Sequence, residues 1–260
     1  MPFSVRDRGY GPPPMNRMTT AVKWLLIVNC SVFLLSFLLE RTGLGQIFLP
    51  FALVPRSVVF SFAIWQPFTY LFLHSTSGFG HILMNMLTLW MFGTALESVW
   101  GTRRFLQYYF FCGVGAGVCV VVLNAMFGSM NTRTIGASGA IYGLLLAFGI
   151  LFPRSIIYFF GLFPIEARWY VLIMGAVVFL SALGDTGGSV SHFAHLGGMA
   201  FGYAFLKLGL GSAKGRGPVI RFSLREEFNS RYQEWKLQRA KKKFQVYLKK
   251  HGTKRDDWIN

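Results

Sequence analysis

The sequence predicts an all-α polytopic membrane protein, a bundle of six transmembrane helices with the N- and C-termini both cytoplasmic. Three observations carry this. First, 53% of the 260 residues are hydrophobic, 17% are aromatic and only 14% are charged, with a mean hydropathy of +0.45; an ordinary soluble domain is far more polar. Second, apolar runs recur near Ala21–Leu39, Phe79–Leu96, Phe105–Ala125, Ser138–Phe152, Trp169–Leu183 and His192–Leu210, and about 17 to 25 such residues cross a hydrocarbon core of roughly 30 Å. Third, the charges sort by loop. The formal net charge of +16 would suit a nucleic-acid surface if it were concentrated on one patch. With the N-terminus cytoplasmic, however, 23 of the 26 basic residues fall on the inner side and only Arg41, Arg56 and Arg133 fall outside. That is the asymmetry that orients membrane proteins, so no nucleic-acid partner is expected.

Taken in order, residues 1–20 read as a short cytoplasmic lead containing GYGPPP. The first span has no small-residue cleavage site and is followed by further spans, so it reads as a retained helix, not a signal peptide. Between the first two spans, Arg41 to Gly78 is too apolar for a solvated loop and too interrupted by Pro50, Pro55 and Pro67 to span; it is expected to lie partly in the interface and pack on the bundle. The membrane domain covers 21–211 and the basic tail 212–260. The tail opens with the Gly-rich GSAKGRGP and continues as a basic helix with Phe228, Tyr232 and Trp235 at i, i+4, i+7. Two readings stand for it: a helix resting on anionic lipid, or a solvated tail that fixes topology. Cys30, Cys112 and Cys119 lie within spans without CxxC spacing and read as small buried hydrophobes.

Chemistry concentrates at the starts of three spans. The fourth begins GASGAIYG, Gly136 to Gly143, and sets the hydroxyl of Ser138 in a small-residue turn before an apolar helix. Its 15 residues to Phe152 give roughly 22 Å, shorter than the hydrocarbon core, which sinks Ser138 below the outer surface. Serine beside glycine also occurs at plain helix-packing faces. The pattern is not a soluble nucleophile elbow, because Ala140 stands where the second glycine would be and no strand precedes the turn.

The sixth span begins HFAHLGGMAFG. His192 stands at its edge, where a solvated or supporting role suffices, and His195 lies one turn further in. An ionisable group inside a span is costly and points to function, although a histidine there can merely bond a neighbouring helix. The second span carries HILMN, which places His81 and Asn85 on one face at i, i+4. Converging neutral donors are what an oxyanion needs. His81, His192 and His195 could instead hold a metal, but the glutamate of HExxH is missing and no carboxylate lies at ligand spacing, so neither metal nor cofactor is expected.

Topology joins these residues. With a cytoplasmic N-terminus, spans two, four and six all run inward, and His81, Asn85, Ser138 and His195 occupy their first turns, at roughly 5 to 10 Å depth. The small pairs Gly139/Gly143 and Gly198/Gly202 would let spans four and six pack closely. His195 would then take the proton from Ser138 and return it to the leaving amine, while the Ser138 N–H, Asn85 and His81 bind the oxyanion. Asp185 falls in a loop, and Glu97 and Glu166 fall on the inner side, so a dyad is favoured over a triad.

WQPFTYLFLH (Trp65 to His74), HILMN, GASGAIYG and AHLGG (Ala194 to Gly198), in this order, resemble the rhomboid family of intramembrane serine proteases over roughly Trp24 to Gly211. The resemblance implies a six-helix core with a water-filled cavity open to the outside and a Ser138/His195 dyad. It further implies that His81 and Asn85 form part of the oxyanion hole, with Gly136 and Gly139 supporting it, and that Tyr142 packs on the His195 ring. The substrates implied are transmembrane proteins cut near the outer end of a span, where the helix unwinds. Membrane lipid is the surrounding partner, and Arg41 to Gly78 and the fifth span are the candidate surfaces for substrate entry. A silent relative that escorts membrane clients is the alternative; such relatives typically lack the serine or the histidine, both present here. A transporter would need paired charges along a pathway. With no transit peptide or secretory signal evident, a bacterial plasma membrane is the expected location.

Overall fold

The computed structural model describes residues 18–127, 129–159, 162–184, 190–210 and 224–251. The lead through Arg17, the GSAKGRGP linker and Asp185 lie outside them. The chain divides into two compact units, one ending at Pro218 and the other beginning at Val219.

Within the first unit, α1 (Thr20–Arg41) leads to a 3-10 turn (Gly45–Phe51), α2 (Pro55–Phe60), α3 (Gln66–Thr69) and a further 3-10 turn (Tyr70–Phe72). A continuous helical run follows, made of α4 (Gly80–Thr88), a π turn (Leu89–Gly93) and α5 (Thr94–Trp100). Then come α6 (Thr102–Phe127), α7 (Ser138–Leu151), β1 (Ile156–Phe159), β2 (Phe163–Glu166), α8 (Ala167–Gly184) and α9 (Val190–Lys207). Among the described residues, Thr20–Arg41, Gly80–Trp100 and Thr102–Met126 are long and apolar enough to cross a membrane, and Ser138–Leu151 and Ala167–Leu183 are shorter apolar helices. The 14 residues of α7 amount to about 21 Å.

The antiparallel hairpin β1–β2 departs from an all-helical reading. Pro153 and Pro164 interrupt helical continuity there, and Ile156, Ile157 and Tyr158 alternate exposed, buried, exposed, a half-buried strand pattern.

α6 is the central post. Phe105, Tyr108, Tyr109, Cys112, Ala116 and Val120 on it are completely buried, and α7 and α9 pack against it and against each other. By contrast, among its described residues α8 buries only Ala167, Val171 and Val178 and leaves Leu172, Leu180 and Leu183 at 60–69% exposure. Side chains of that kind are at ease in lipid, which is also true of Leu34, Leu35 and Leu38 on α1.

The segment between α1 and α4 folds back by polar ties. Val54 N–H donates to Gln66 Oε1 at 3.0 Å, Gln66 Nε2 and Trp65 Nε1 both donate to the Pro50 carbonyl, and Thr69 Oγ1 donates to Phe51 O at 2.8 Å. Outward it presents Phe60, Phe62 and Ile64, 69–78% exposed. The segment packs on the bundle through α2 and α3 against α6, as its composition suggests.

At the opposite end, the buried Glu97 carboxylate accepts from Ala21 N–H (2.9 Å), Val22 N–H (3.0 Å) and the Thr102 hydroxyl (2.7 Å). It satisfies two of the open amides at the α1 N-terminus, in the position where a helix favours negative charge, and so ties α1 to α5 and α6. Glu97→Ala leaves those amides buried without an acceptor, at a cost of about 3 kcal/mol. The thermal unfolding midpoint of the detergent-solubilised variant should fall by several degrees, with Glu97→Gln intermediate.

Candidate active site

Ser138 is the first residue of α7, and the chain entering it is fixed from two sides. Leu53 and Thr134 exchange backbone hydrogen bonds of 3.0 and 2.9 Å, and Gly136 N–H donates to Tyr70 O at 2.9 Å. Gly136 has φ +120, a conformation side chains rarely adopt, and a Cβ there would meet His81 Cε1 and Nε2 at 3.1 Å. The His81 ring therefore lies directly against the turn that presents Ser138. Tyr70 is completely buried; its hydroxyl donates to Gly113 O on α6 at 2.7 Å, so one side chain braces both α6 and the serine turn.

α9 reaches this point because glycines let it. A Cβ on Gly198 would stand 1.9 Å from Gly139 O, and one on Gly202 would stand 3.3 Å from Gly143 Cα. Tyr108 Oη donates to Gly143 O at 2.7 Å from the α6 side. At this separation His195 Nε2 lies 2.8 Å from Ser138 Oγ, with both residues partly buried. The Tyr142 ring stacks on His195 with centroids 4.2 Å apart and planes 19° apart. His195 Nδ1 is buried without a hydrogen-bond partner among the described residues. The first α7 amide with a helical acceptor is Ile141, which bonds Ala137 O, so the N–H groups of Ser138, Gly139 and Ala140 have none and stand at the positive end of the helix.

His81 Nδ1 takes a long, 3.5 Å contact from Ser75 N–H, and its Nε2 and Cε1 face Gly136; the tautomer protonated at Nε2 is the one compatible with that contact. Asn85 is buried and its Nδ2 donates to His81 O at 2.9 Å. One amide hydrogen is thus spent on its own helix and one remains. His192 is half-buried, its ring 6.4 Å from that of His195 and nearly perpendicular.

His74 belongs to the site's surroundings although nothing in its own spacing to Ser138 announces it. It is 4% exposed, neither ring nitrogen has a hydrogen-bond partner among the described residues, and its ring lies 5.3 Å from that of His81. Burial, then the neighbouring His81, holds its pKa down to about 4, against a small opposing pull from the Phe72 backbone that falls short of a hydrogen bond. Gln66, Tyr70 and His74 recur at four-residue intervals in WQPFTYLFLH, a polar row that marks the inward side of the segment.

The Rhomboid domain model matches residues 61–211, more than half of the chain and all of this arrangement except Leu53. The chain belongs to the rhomboid family. Among its relatives, Rhomboid protein 1, mitochondrial, of Saccharomyces cerevisiae is 32% identical over 49% of this chain and 37% of its own length. RHOMBOID-like protein 1 of Arabidopsis thaliana is 31% identical over 65% and 38%, and Rhomboid protease GluP of Bacillus subtilis is 32% identical over 43% and 21%. The rhomboid chain therefore matches well under half the length of each of these relatives. The family, its protease-named members and the apolar helices make this an integral membrane protein of an intramembrane-protease family.

Two outcomes follow for this rhomboid. Gly198→Ala must push α9 away from α7, and because misplacement by about 1 Å costs roughly 10²-fold, the rate at which a fluorophosphonate labels Ser138 should fall about 100-fold while helical content by circular dichroism is retained. His74 is neutral in the fold and titrates near 4 but near 6.5 when unfolded. Its contribution is present in full above pH 6.5 and is lost as pH falls to about 4, by about 3 kcal/mol. Unfolding midpoints measured from pH 7.5 to 4 should decline less steeply for His74→Gln than for wild type.

Proposed function

We propose that the protein is a serine endopeptidase that hydrolyses peptide bonds in or near the transmembrane segments of other membrane proteins, with Ser138 as nucleophile and His195 as general base. The 2.8 Å Ser138 Oγ–His195 Nε2 contact carries this reading. With the ring proton on Nδ1, Nε2 accepts the serine proton as Oγ attacks the carbonyl carbon, and the imidazolium then protonates the leaving amine. Water repeats the cycle on the acyl-enzyme. Proton transfer of this kind contributes typically 10²- to 10⁴-fold.

In place of a carboxylate, Tyr142 orients the imidazole by stacking, and its ring face favours the charged form, an interaction of about 0.5–2 kcal/mol. The oxyanion is received by the Ser138 N–H at the α7 N-terminus, by His81 Nε2–H across Gly136 and by the remaining Asn85 amide hydrogen, each such donor being worth roughly 10²- to 10³-fold. Six spans, α1, α4–α5, α6, α7, α8 and α9, with both termini cytoplasmic in a bacterial plasma membrane, set the dyad beneath the outer surface. Exposed apolar side chains on the Arg41–Gly78 segment and the sparse burial of α8 support those two elements as the flank where a substrate helix arrives and unwinds.

Fluorophosphonate labelling and cleavage of a single-pass substrate in proteoliposomes test the assignment together. Wild type should label and cut; Ser138→Ala should do neither, and His195→Ala should lose at least about 10²-fold in both. Equal labelling of all three would refute the dyad. An unreactive wild type that still binds membrane clients would favour an escort.

A further inference from the structure

The second unit contains α10, Leu224–His251, a helix of 28 residues and about 42 Å. From Lys236 to Lys250 it carries seven Lys or Arg and no Asp or Glu. Within that stretch Leu237, Ala240, Phe244 and Tyr247 follow at i, i+3, i+7 and i+10, which at about 100° per residue gathers them into one sector of roughly 80°. All four are exposed, with Leu237, Phe244 and Tyr247 between 60 and 62%. By the same rotation Lys241 borders the sector on one side, Lys236 and Lys243 border it on the other, and Arg239 and Lys242 stand opposite. Trp235 and Val246 lie on that opposite side, where the Arg239 guanidinium covers the Trp235 ring at 5.0 Å.

A helix meant only for water has no use for a row of Leu, Phe and Tyr, and an exposed apolar row marks an interaction surface. Its occupant is selected by charge. A second copy would set lysine borders against lysine borders, which a helix pair avoids. Nucleic acid would engage the charges but leave the row in water. A leaflet of anionic phospholipid satisfies both: the apolar row enters the acyl boundary while lysine stems lie along it and their ammonium groups reach phosphates. The chain is itself anchored in a bilayer, so this surface is always at high effective concentration. We infer that α10 lies on the leaflet at the C-terminal side of the membrane, with the Leu237–Tyr247 row embedded and the lysines on anionic headgroups.

The full chain is reconstituted in vesicles of phosphatidylcholine, with or without phosphatidylglycerol, carrying an environment-sensitive fluorescent amino acid in place of Phe244 or, on the far side, Lys242. With phosphatidylglycerol the probe at 244 should be blue-shifted, quenched by nitroxide lipid and shielded from acrylamide, while the probe at 242 stays open to acrylamide. Without phosphatidylglycerol, or in high salt, the shielding should be lost. Each of Lys241→Gln and Lys243→Gln should lower the docked-to-undocked ratio roughly fivefold. Open access at 244 in phosphatidylglycerol vesicles overturns the inference. So does shielding that is equal without anionic lipid, which assigns the row to the bundle or to uncharged lipid, and so does shielding that vanishes when protein is diluted in lipid, which assigns it to a second copy.

Discussion

The contact on which the site depends contains no reactive atom. Gly198 and Gly139 bring α9 and α7 so close that a single methyl group would stand 1.9 Å from a carbonyl oxygen. Helices in lipid gain nothing from excluding water between them, so they associate through close backbone approach and interhelical hydrogen bonds. Both are present here: the glycine pairs set the separation, and Tyr108, donating to Gly143 O, locks α7 to the α6 post from the other side. The 2.8 Å distance from Ser138 to His195 is a readout of that packing, since each residue sits within one turn of a glycine that makes the contact.

The second constraint acts on the backbone entering α7. A turn exposing a serine at the head of a helix must satisfy its own amides, and it does so against Leu53 and Tyr70, residues from the segment between α1 and α4. That segment is tied internally through Gln66, Trp65 and Thr69, so its aromatic exterior and its polar interior belong to one device. The exterior suits an apolar surround, and the interior positions a turn that other helices alone would leave undetermined. Tyr70 joins both roles by giving its carbonyl to Gly136 and its hydroxyl proton to Gly113.

Hydropathy and motif spacing were enough to locate helices, because a membrane helix needs length and apolarity and little else. α7 ends within one residue of the predicted span and Ser138 heads it, while α9 begins earlier than predicted, at Val190, and so carries His195 in its second turn. What spacing did not reveal was compensation between distant residues. Glu97 reads as an acid near an inner loop, and only its partners, the Ala21 and Val22 amides, explain why a carboxylate is tolerated in the interior. The β1–β2 hairpin is not legible in the sequence, because four-residue strands carry too short a pattern to compete with flanking helical runs. His74 is equally silent, because a histidine in a loop implies nothing until its burial and its neighbour are known.

The same packing also divides the bundle into a closely joined part and a sparsely buried one. α6, α7 and α9 share glycine contacts, buried tyrosines and interhelical hydrogen bonds, so displacing any one of them breaks several at once. α8 buries few side chains and has no glycine–glycine contact of the α7–α9 kind among the described residues. Fewer buried contacts hold α8 in place, whereas separating α7 from α9 would part Ser138 from His195. Under the proposed function, in which another helix is admitted while two side chains stay within hydrogen-bond distance, that inequality is what the chemistry requires. It follows from where the small residues fall along the sequence: Gly139, Gly143, Gly198 and Gly202 on the closely packed helices, and bulky, exposed Leu172, Leu180 and Leu183 on the sparsely buried α8.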